Sequence, residues 1–199
     1  PAHDAFTRQQ ASLFLEMYET ISQKLGYRPP RHLLNTAGII RFPEYQFEMV
    51  RLGIGLYGID NSGLLKEDLR PALSLRSHLN QTRLVQPGET VGYNRHGRVD
   101  HPTRIGTVAV GYADGLPRLA GNGRYSLLVR GRPAPIIGDV CMDMCMVDLS
   151  AIPEAKEGDE VMVFGPEHPV EALAAAAQTI PYEIFTDVSP RVKRVYVKE

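Results

Sequence analysis

The rhythm of this chain changes near Pro71, and that change constrains its fold more than any single motif. Before it, Phe6, Leu13, Leu15, Met17, Tyr18, Ile21 and Leu25 recur at roughly helical spacing, which predicts one amphipathic helix over about 7–25. Gly26 should end that helix, and Pro29-Pro30 prevents its continuation. Two short apolar runs follow, His32-Leu33-Leu34 and Met49-Val50-Arg51, separated by the break at Asn35-Thr36-Ala37-Gly38 and followed by Gly53 and Gly55. Helix, strand, glycine-bearing loop, strand is the rhythm of β/α units on a parallel sheet.

After Pro71 the pattern becomes strand and turn. Turn signals fall at Gln86-Pro87-Gly88, Ala113-Asp114-Gly115, Gly121-Asn122-Gly123, Arg130-Gly131 and Glu157-Gly158-Asp159. Between them lie runs that predict strands at 103–110, 125–129, 135–137, 140–147 and 160–164. An alanine-rich helix is expected over 170–178, a short helix after Pro181, and a last strand over 192–197. The division is therefore 1–72, an α/β stretch, and 73–199, a β-rich domain. A whole (β/α)8 barrel takes about 250 residues. The first stretch holds only its last two units or so and could not bury a core by itself, whereas the second is large enough to fold alone.

The chemistry left open by composition is narrow. A net charge of -1 gives no long-range field for nucleic acid or an anionic membrane. No window reaches the roughly 18 apolar residues of a membrane span. On one strand, Cys141 and Cys145 would sit roughly 13 Å apart at about 3.3 Å per residue, too far for a disulfide, which needs about 7 Å or less. Both are expected to be buried free thiols. On such a strand Cys141, Asp143 and Cys145 would share one face and Met142, Met144 and Met146 the other, for which core packing is the plain reading. The start at Pro1 has no initiator Met and no signal-peptide pattern, so the chain is expected to be part of a longer polypeptide.

Single residues carry two readings each. Arg51, at the end of a predicted strand, could clamp a phosphate or carboxylate, or make a surface ion pair. Gly53-Ile54-Gly55 could cradle a phosphate with backbone N–H groups, or simply turn the chain. Thr36 could offer its hydroxyl to a phosphate, or cap a helix. Tyr93, at a turn after a strand, could serve as a base if cations stabilised its phenolate, and Arg95, His96 and Arg98 are near in sequence; it could equally be packing.

Taken in order, Asn35-Thr36-Ala37-Gly38, Arg51-Leu52-Gly53-Ile54, Val91-Gly92-Tyr93, Gly111-Tyr112-Ala113-Asp114-Gly115 and Cys141-Met142-Asp143 resemble the alanine racemase family over about 33–194. The resemblance implies the last units of a TIM-type barrel followed by a mainly β C-terminal domain, and a homodimer whose active sites draw on both subunits. It implies pyridoxal phosphate as cofactor and L- and D-alanine as substrates. Arg51 matches the arginine facing the cofactor's pyridine nitrogen, which an arginine does not protonate. Thr36, Gly53, Ile54 and Tyr182 match its phosphate contacts. Tyr93 matches the tyrosine that takes the α-proton of L-alanine, and Tyr112 and Met142 match residues reaching the substrate and its entry. The family's Schiff-base lysine is not matched by Lys24, Lys66, Lys156, Lys193 or Lys198, so this chain alone is expected to be inactive. The resemblance further implies a cytoplasmic bacterial enzyme supplying D-alanine for peptidoglycan. The competing readings are another racemase of the same scaffold, a basic-amino-acid decarboxylase, which would want a carboxylate where Arg51 stands, and a non-catalytic β-domain for binding or dimerisation.

Overall fold

A computed structural model describes residues 3–60, 62–65 and 68–197; Lys66 and Lys198 lie outside the described residues. The chain forms two compact units, Pro1–Ala72 and Leu73–Glu199.

In the first unit, helix α1 (Asp4–Leu25) stops where Gly26 turns left-handed, φ 74°, and donates its N–H to the carbonyl of Ser22. Glycine enters that region without the steric cost other residues carry. Of its apolar positions, Phe6, Leu13, Met17, Ile21 and Leu25 are exposed. Strand β1 (His32–Asn35) leads directly into a six-residue helix, α2 (Thr36–Arg41), and strand β2 (Met49–Arg51) pairs with β1 in parallel. A bidentate ion pair sets the start of that pairing: Arg31 donates through Nε and Nη2 to the two carboxylate oxygens of Glu48, at 3.0 and 2.5 Å. These bonds push the Glu48 carboxyl down to about 2.

The second unit is a β-structure of eight strands: β3 (Leu75–Val85), β4 (Thr90–Val91), β5 (Gly97–Arg98), β6 (Thr103–Val108), β7 (Ser126–Val129), β8 (Arg132–Pro135), β9 (Cys145–Asp148) and β10 (Glu160–Phe164). Six of them form one sheet in the order β8-β7-β10-β3-β6-β9, every neighbouring pair antiparallel. Its edges meet: Ile136 bridges to Val147, and the Ile137 N–H donates to the Met146 carbonyl at 2.8 Å. The sheet is therefore nearly closed, which removes the unpaired edges that an open sheet would present. Leu79, Ile105, Leu127, Ile136, Val147 and Val161 fill its interior, each almost wholly buried. The buried Tyr125 hydroxyl donates to the Val163 carbonyl at 2.8 Å, and burial holds its phenol above the ordinary tyrosine range. Helices α3 (Val170–Ala176) and α4 (Pro181–Asp187) pack on each other.

Four sequence expectations need correction. Only 145–148 of the expected 140–147 strand is extended; the Cys141 N–H donates to the Met144 carbonyl, closing a turn instead. The strict alternation of Cys and Met faces therefore fails at its start. Met142 and Met144 are exposed rather than core, and Cys141 is only partly buried while Cys145 is fully so. The strand expected at 135–137 pairs three residues earlier, at Arg132–Pro135, because the tight turn at Arg130-Gly131, both with positive φ, fixes the register of β7 with β8. The alternating tail 192–197 forms no strand, and Val195, Tyr196 and Val197 are exposed. With its edges joined to each other, the sheet offers that tail no edge to pair with. Finally, β3, the longest strand and the one between β10 and β6, was not singled out by its sequence.

Among the described residues no helix is long and apolar enough to cross a membrane, and no group of His, Cys, Asp and Glu is arranged to hold a metal ion.

Leu127 is 0% exposed, on the strand between β8 and β10. Leu127→Ala is expected to cost about 2–5 kcal/mol, lowering the urea midpoint with little change in slope. A loss under about 0.5 kcal/mol would mean that the site collapses freely and is not the packed core described.

Candidate functional site

The first unit brings Thr36, Gly53 and Gly55 together. Asn35 ends β1 and caps α2, its side-chain oxygen accepting the Gly38 N–H at 3.0 Å. Capping is thus done by Asn35, which leaves the buried Thr36 hydroxyl for another task. Thr36 Oγ1 accepts the N–H groups of Gly53 and Gly55 at 3.1 and 3.2 Å. A hydroxyl has two lone pairs and one proton. With both lone pairs engaged, what Thr36 still offers is its proton. Gly55 fits only because it lacks a Cβ, which would stand 2.9 Å from both Thr36 Cγ2 and Leu52 Cδ1. Ile54 is buried at the start of a 3-10 turn running Ile54–Tyr57. Arg51 ends β2 with an exposed side chain whose Nη1 lies 3.4 Å from both the carbonyl and the ring Nδ1 of His32. A hydroxyl proton oriented by two backbone N–H groups, with a permanent cation on the neighbouring strand end, is a donor set for an oxyanion.

In the second unit, the short β4–β5 ladder carries a 3-10 turn, Tyr93–Arg95, entered through Gly92 at φ 76°. Tyr93 is 69% exposed. It stands on the rim of a cleft of about 520 Å³ that Gln81, Arg83, Thr107, Cys141, Met142 and Met144 also line. Asn94 and Arg95 both hold left-handed backbone, φ 56° and 57°, without being glycine. Such conformations cost on the order of 1–3 kcal/mol each and persist where surroundings over-determine them. The surroundings here are a buried carboxylate. Asp139, 5% exposed, accepts from Asn122 Nδ2 at 2.8 Å and from Arg118 Nη2 at 2.8 Å, and its Oδ1 lies 3.0 Å from His96 Nδ1. His96 follows the turn directly, and its own N–H bonds back to the Tyr93 carbonyl. The bonds from His96 and Asn122 hold the Asp139 carboxyl below its ordinary range. Of the cations expected near Tyr93, Arg95 turns to Thr90 Oγ1 and His96 to Asp139.

The next two motifs are stitched to each other. Tyr112 and Ala113 donate their N–H groups to the carbonyls of Cys141 and Met142, both at 3.0 Å. That approach needs Gly111, where a Cβ would fall 2.3 Å from the Met142 carbonyl oxygen. Arg191 clamps the same two loops through charge, with Nε to Asp114 at 2.8 Å and Nη2 to Asp143 at 2.7 Å. Tyr112 is exposed on its turn, and Tyr182 sits in the first turn of α4. Neither side chain is on the cleft lining, where Tyr93 and Met142 meet. Burial raises the Cys145 thiol, and to a lesser degree that of Cys141, so neither is poised as a thiolate.

Sequence reasoning missed Asp139, Arg118, Asn122 and Arg191. Asp139 had a signal: a carboxylate between Ile136-Ile137-Gly138 and Val140 must find partners if its neighbours are buried. The partners themselves come from distant segments and had none.

Comparison with known proteins places the chain. Residues 72–196 match the family model described as alanine racemase, C-terminal domain, and 1–61 match alanine racemase, N-terminal domain. An alanine racemase of Vibrio parahaemolyticus is 40% identical over 197 residues, covering 98% of this chain and 53% of that protein. The alanine racemase structure from Streptomyces coelicolor superposes with TM-score 0.91 at 36% identity, over 100% of this chain and 53% of that one. The one from Bartonella henselae, with covalently bound pyridoxal phosphate, superposes with TM-score 0.80 at 31% identity, over 94% and 52%. The chain spans about half the length of the curated relatives it matches.

Two outcomes follow from this geometry. Gly111→Ala is expected to part the 111–113 and 141–142 backbones, costing about 1–3 kcal/mol and speeding amide exchange at Tyr112 and Ala113. Exchange there unchanged from wild type would refute the close approach. For Asp139 the sign is that of a carboxyl lowered by folding, with His96, Asn122 and Arg118 facing it. Its stabilising contribution is complete above the unfolded pKa of about 3.9 and is lost as pH falls through the lowered folded value. Asp139→Asn should flatten that acid limb in urea-midpoint measurements, and an identical acid limb in the variant would remove Asp139 as its source.

Proposed function

This chain belongs to the alanine racemase family, and from that premise we propose that the polypeptide containing it interconverts L-alanine and D-alanine using pyridoxal phosphate. On this reading 1–72 are the last units of a (β/α)8 barrel, 73–199 the β-domain that follows it, and the working form is a homodimer. The observation that carries the reading is Tyr93: an exposed phenol at a cleft, on a turn whose strained backbone is held by buried partners.

The residues of the first unit suit the cofactor. Thr36, with both lone pairs occupied, turns its hydroxyl proton to the phosphate, and the Gly53 and Gly55 N–H groups orient that hydroxyl. Ile54, and in the second unit Tyr182, are the remaining positions that match the family's phosphate contacts. Arg51 would present the cofactor's pyridine nitrogen with a charge that stays on the guanidinium, since its pKa lies above about 12. Pyridoxal phosphate, when bound, draws electrons from the α-carbon and so makes its proton transferable.

Tyr93 Oη takes that proton from L-alanine and returns one when the reaction runs from D-alanine. A base so placed contributes about 10²–10⁴-fold. The second base, on the opposite face, is the lysine that anchors the cofactor, and it corresponds to no position of this chain. Met142 and Tyr112 match residues that reach alanine and its entry, and the bonds between their loops fix the two relative to each other. The reading as a mere dimerisation module leaves the strained Tyr93 turn and the Thr36 donor set without a task.

The test is L-alanine racemisation by the native-length polypeptide with pyridoxal phosphate. Tyr93→Phe is expected to lower kcat by about 10²–10⁴-fold. The 199-residue chain by itself should give neither turnover nor a borohydride-reducible lysine adduct. Unchanged kcat in Tyr93→Phe, or a stoichiometric adduct with turnover in this chain, would sink the assignment.

A further inference from the structure

We propose that Asp139 and His96 are positioning residues for Tyr93: the buried carboxylate, acting through His96, fixes the turn that presents the phenol and couples it to the Arg118–Asn122 loop. The inference rests on the racemase reading of Tyr93, which it deepens by assigning how that base is held.

Three observations carry it. The turn is strained, with Gly92, Asn94 and Arg95 all at positive φ, so its shape must be imposed from outside. The Asp139 segment is one source of that constraint, beside the bonds from Arg95 to Thr90 and from the His96 N–H to the Tyr93 carbonyl. The β4–β5 ladder that flanks the turn lies directly against the backbone before Asp139. A Cβ on Gly97 would stand 2.7 Å from the Val91 carbonyl and 3.1 Å from the Gly138 nitrogen, and one on Gly138 would stand 2.7 Å from the same Val91 carbonyl. Gly92 in turn faces the Asp139 backbone, at 3.6 Å from a Cβ to its nitrogen. Backbone contact of this kind fixes position but leaves the turn free to pivot about the ladder. The His96–Asp139 bond, 3.0 Å, removes that freedom because it grips the residue immediately after the turn.

Asp139 also has the partners to act as a fixed point. Its oxygens receive Asn122 and Arg118 from the 118–122 segment, and the Asn122 N–H itself donates to the Gly138 carbonyl at 2.8 Å. A carboxylate with three partners in a site 5% exposed cannot shift without leaving a buried charge unpaired. His96 is different. Its side chain is half exposed, 51%, so replacing it does not open a core. That asymmetry allows positioning to be separated from folding. His96→Ala cuts the grip on the turn, whereas His96→Asn puts an amide N–H close to where the imidazole Nδ1 stands and should restore it.

The deciding measurement is amide hydrogen exchange by mass spectrometry on the native-length polypeptide, with racemisation kinetics in parallel. His96→Ala should raise exchange in 91–98 by about tenfold or more while 126–135 stays protected. His96→Asn should return it to within about twofold of wild type. Asp139→Asn, if it folds, should loosen 91–98 and 118–123 together. In turnover, His96→Ala should lower kcat by about tenfold or more, with KM for alanine changed less than about twofold, because the base is misplaced rather than the substrate lost. Exchange in 91–98 unaltered by His96→Ala overturns the proposal whatever the activity. Loosened exchange in a polypeptide that racemises no alanine would instead leave the coupling standing and sink the racemase reading.

Discussion

A buried carboxylate is a demand on the chain around it. Asp139 lies in the interior of the second unit, and its charge must be matched by donors that the local sequence does not supply. Two segments remote from it in sequence supply them, His96 and 118–122, and both meet the chain at 138–140. Each of these segments adjoins one that the chemistry needs. His96 follows the Tyr93 turn, Arg118 ends the Gly111–Arg118 string, and Asp139 precedes the Cys141–Met142–Asp143 loop. Satisfying one charge therefore ties together the three loops that carry the motif residues Tyr93, Tyr112 and Met142. The nearly closed sheet provides the frame for this, since the Ile136–Val147 bridge and the Ile137–Met146 bond join its edges just before Asp139.

Thr36 plays a corresponding part in the first unit, by hydrogen bonding rather than charge. Its hydroxyl takes two backbone N–H groups that belong to the turn after β2. The strand ends of β1 and β2 are neighbours in a parallel pair, so their loops emerge on the same side. That is the physical reason two glycine-bearing motifs separated by over a dozen residues can act as one donor set. In this arrangement the Gly53 N–H is directed at the threonine hydroxyl.

How much of this was legible in the sequence depends on whether the signal was local. Gly26 ending α1, the β1 and β2 runs, β10 and the Val170 helix were readable because each depends on residues within one turn or one strand. The β-rich second unit was readable from its spaced turns. The 140–144 segment was misread because alternating Cys and Met suit a strand locally, yet the loop is held by distant bonds from Tyr112, Ala113 and Arg191. The 192–197 tail alternates as well, but alternation creates a strand only where an edge is available. Tyr93, Thr36 and Arg51 stood out in the sequence as motif residues. Asp139, Asn122 and Arg191 did not, because their roles exist only after the loops have been brought together.

The placement of strain follows the same logic. A tyrosine proposed as a base must be exposed to meet its substrate, and exposure removes the packing that usually fixes a side chain. Precision then has to come from the backbone beneath it. The Tyr93 turn has that property: left-handed residues on either side of the phenol, and rigid anchors one and three residues away. A relaxed turn at this position would be more stable by itself but would let the phenol wander over the mouth of the cleft. Strain that the Asp139 cluster sustains is thus the means by which a side chain 69% exposed to solvent keeps a defined position.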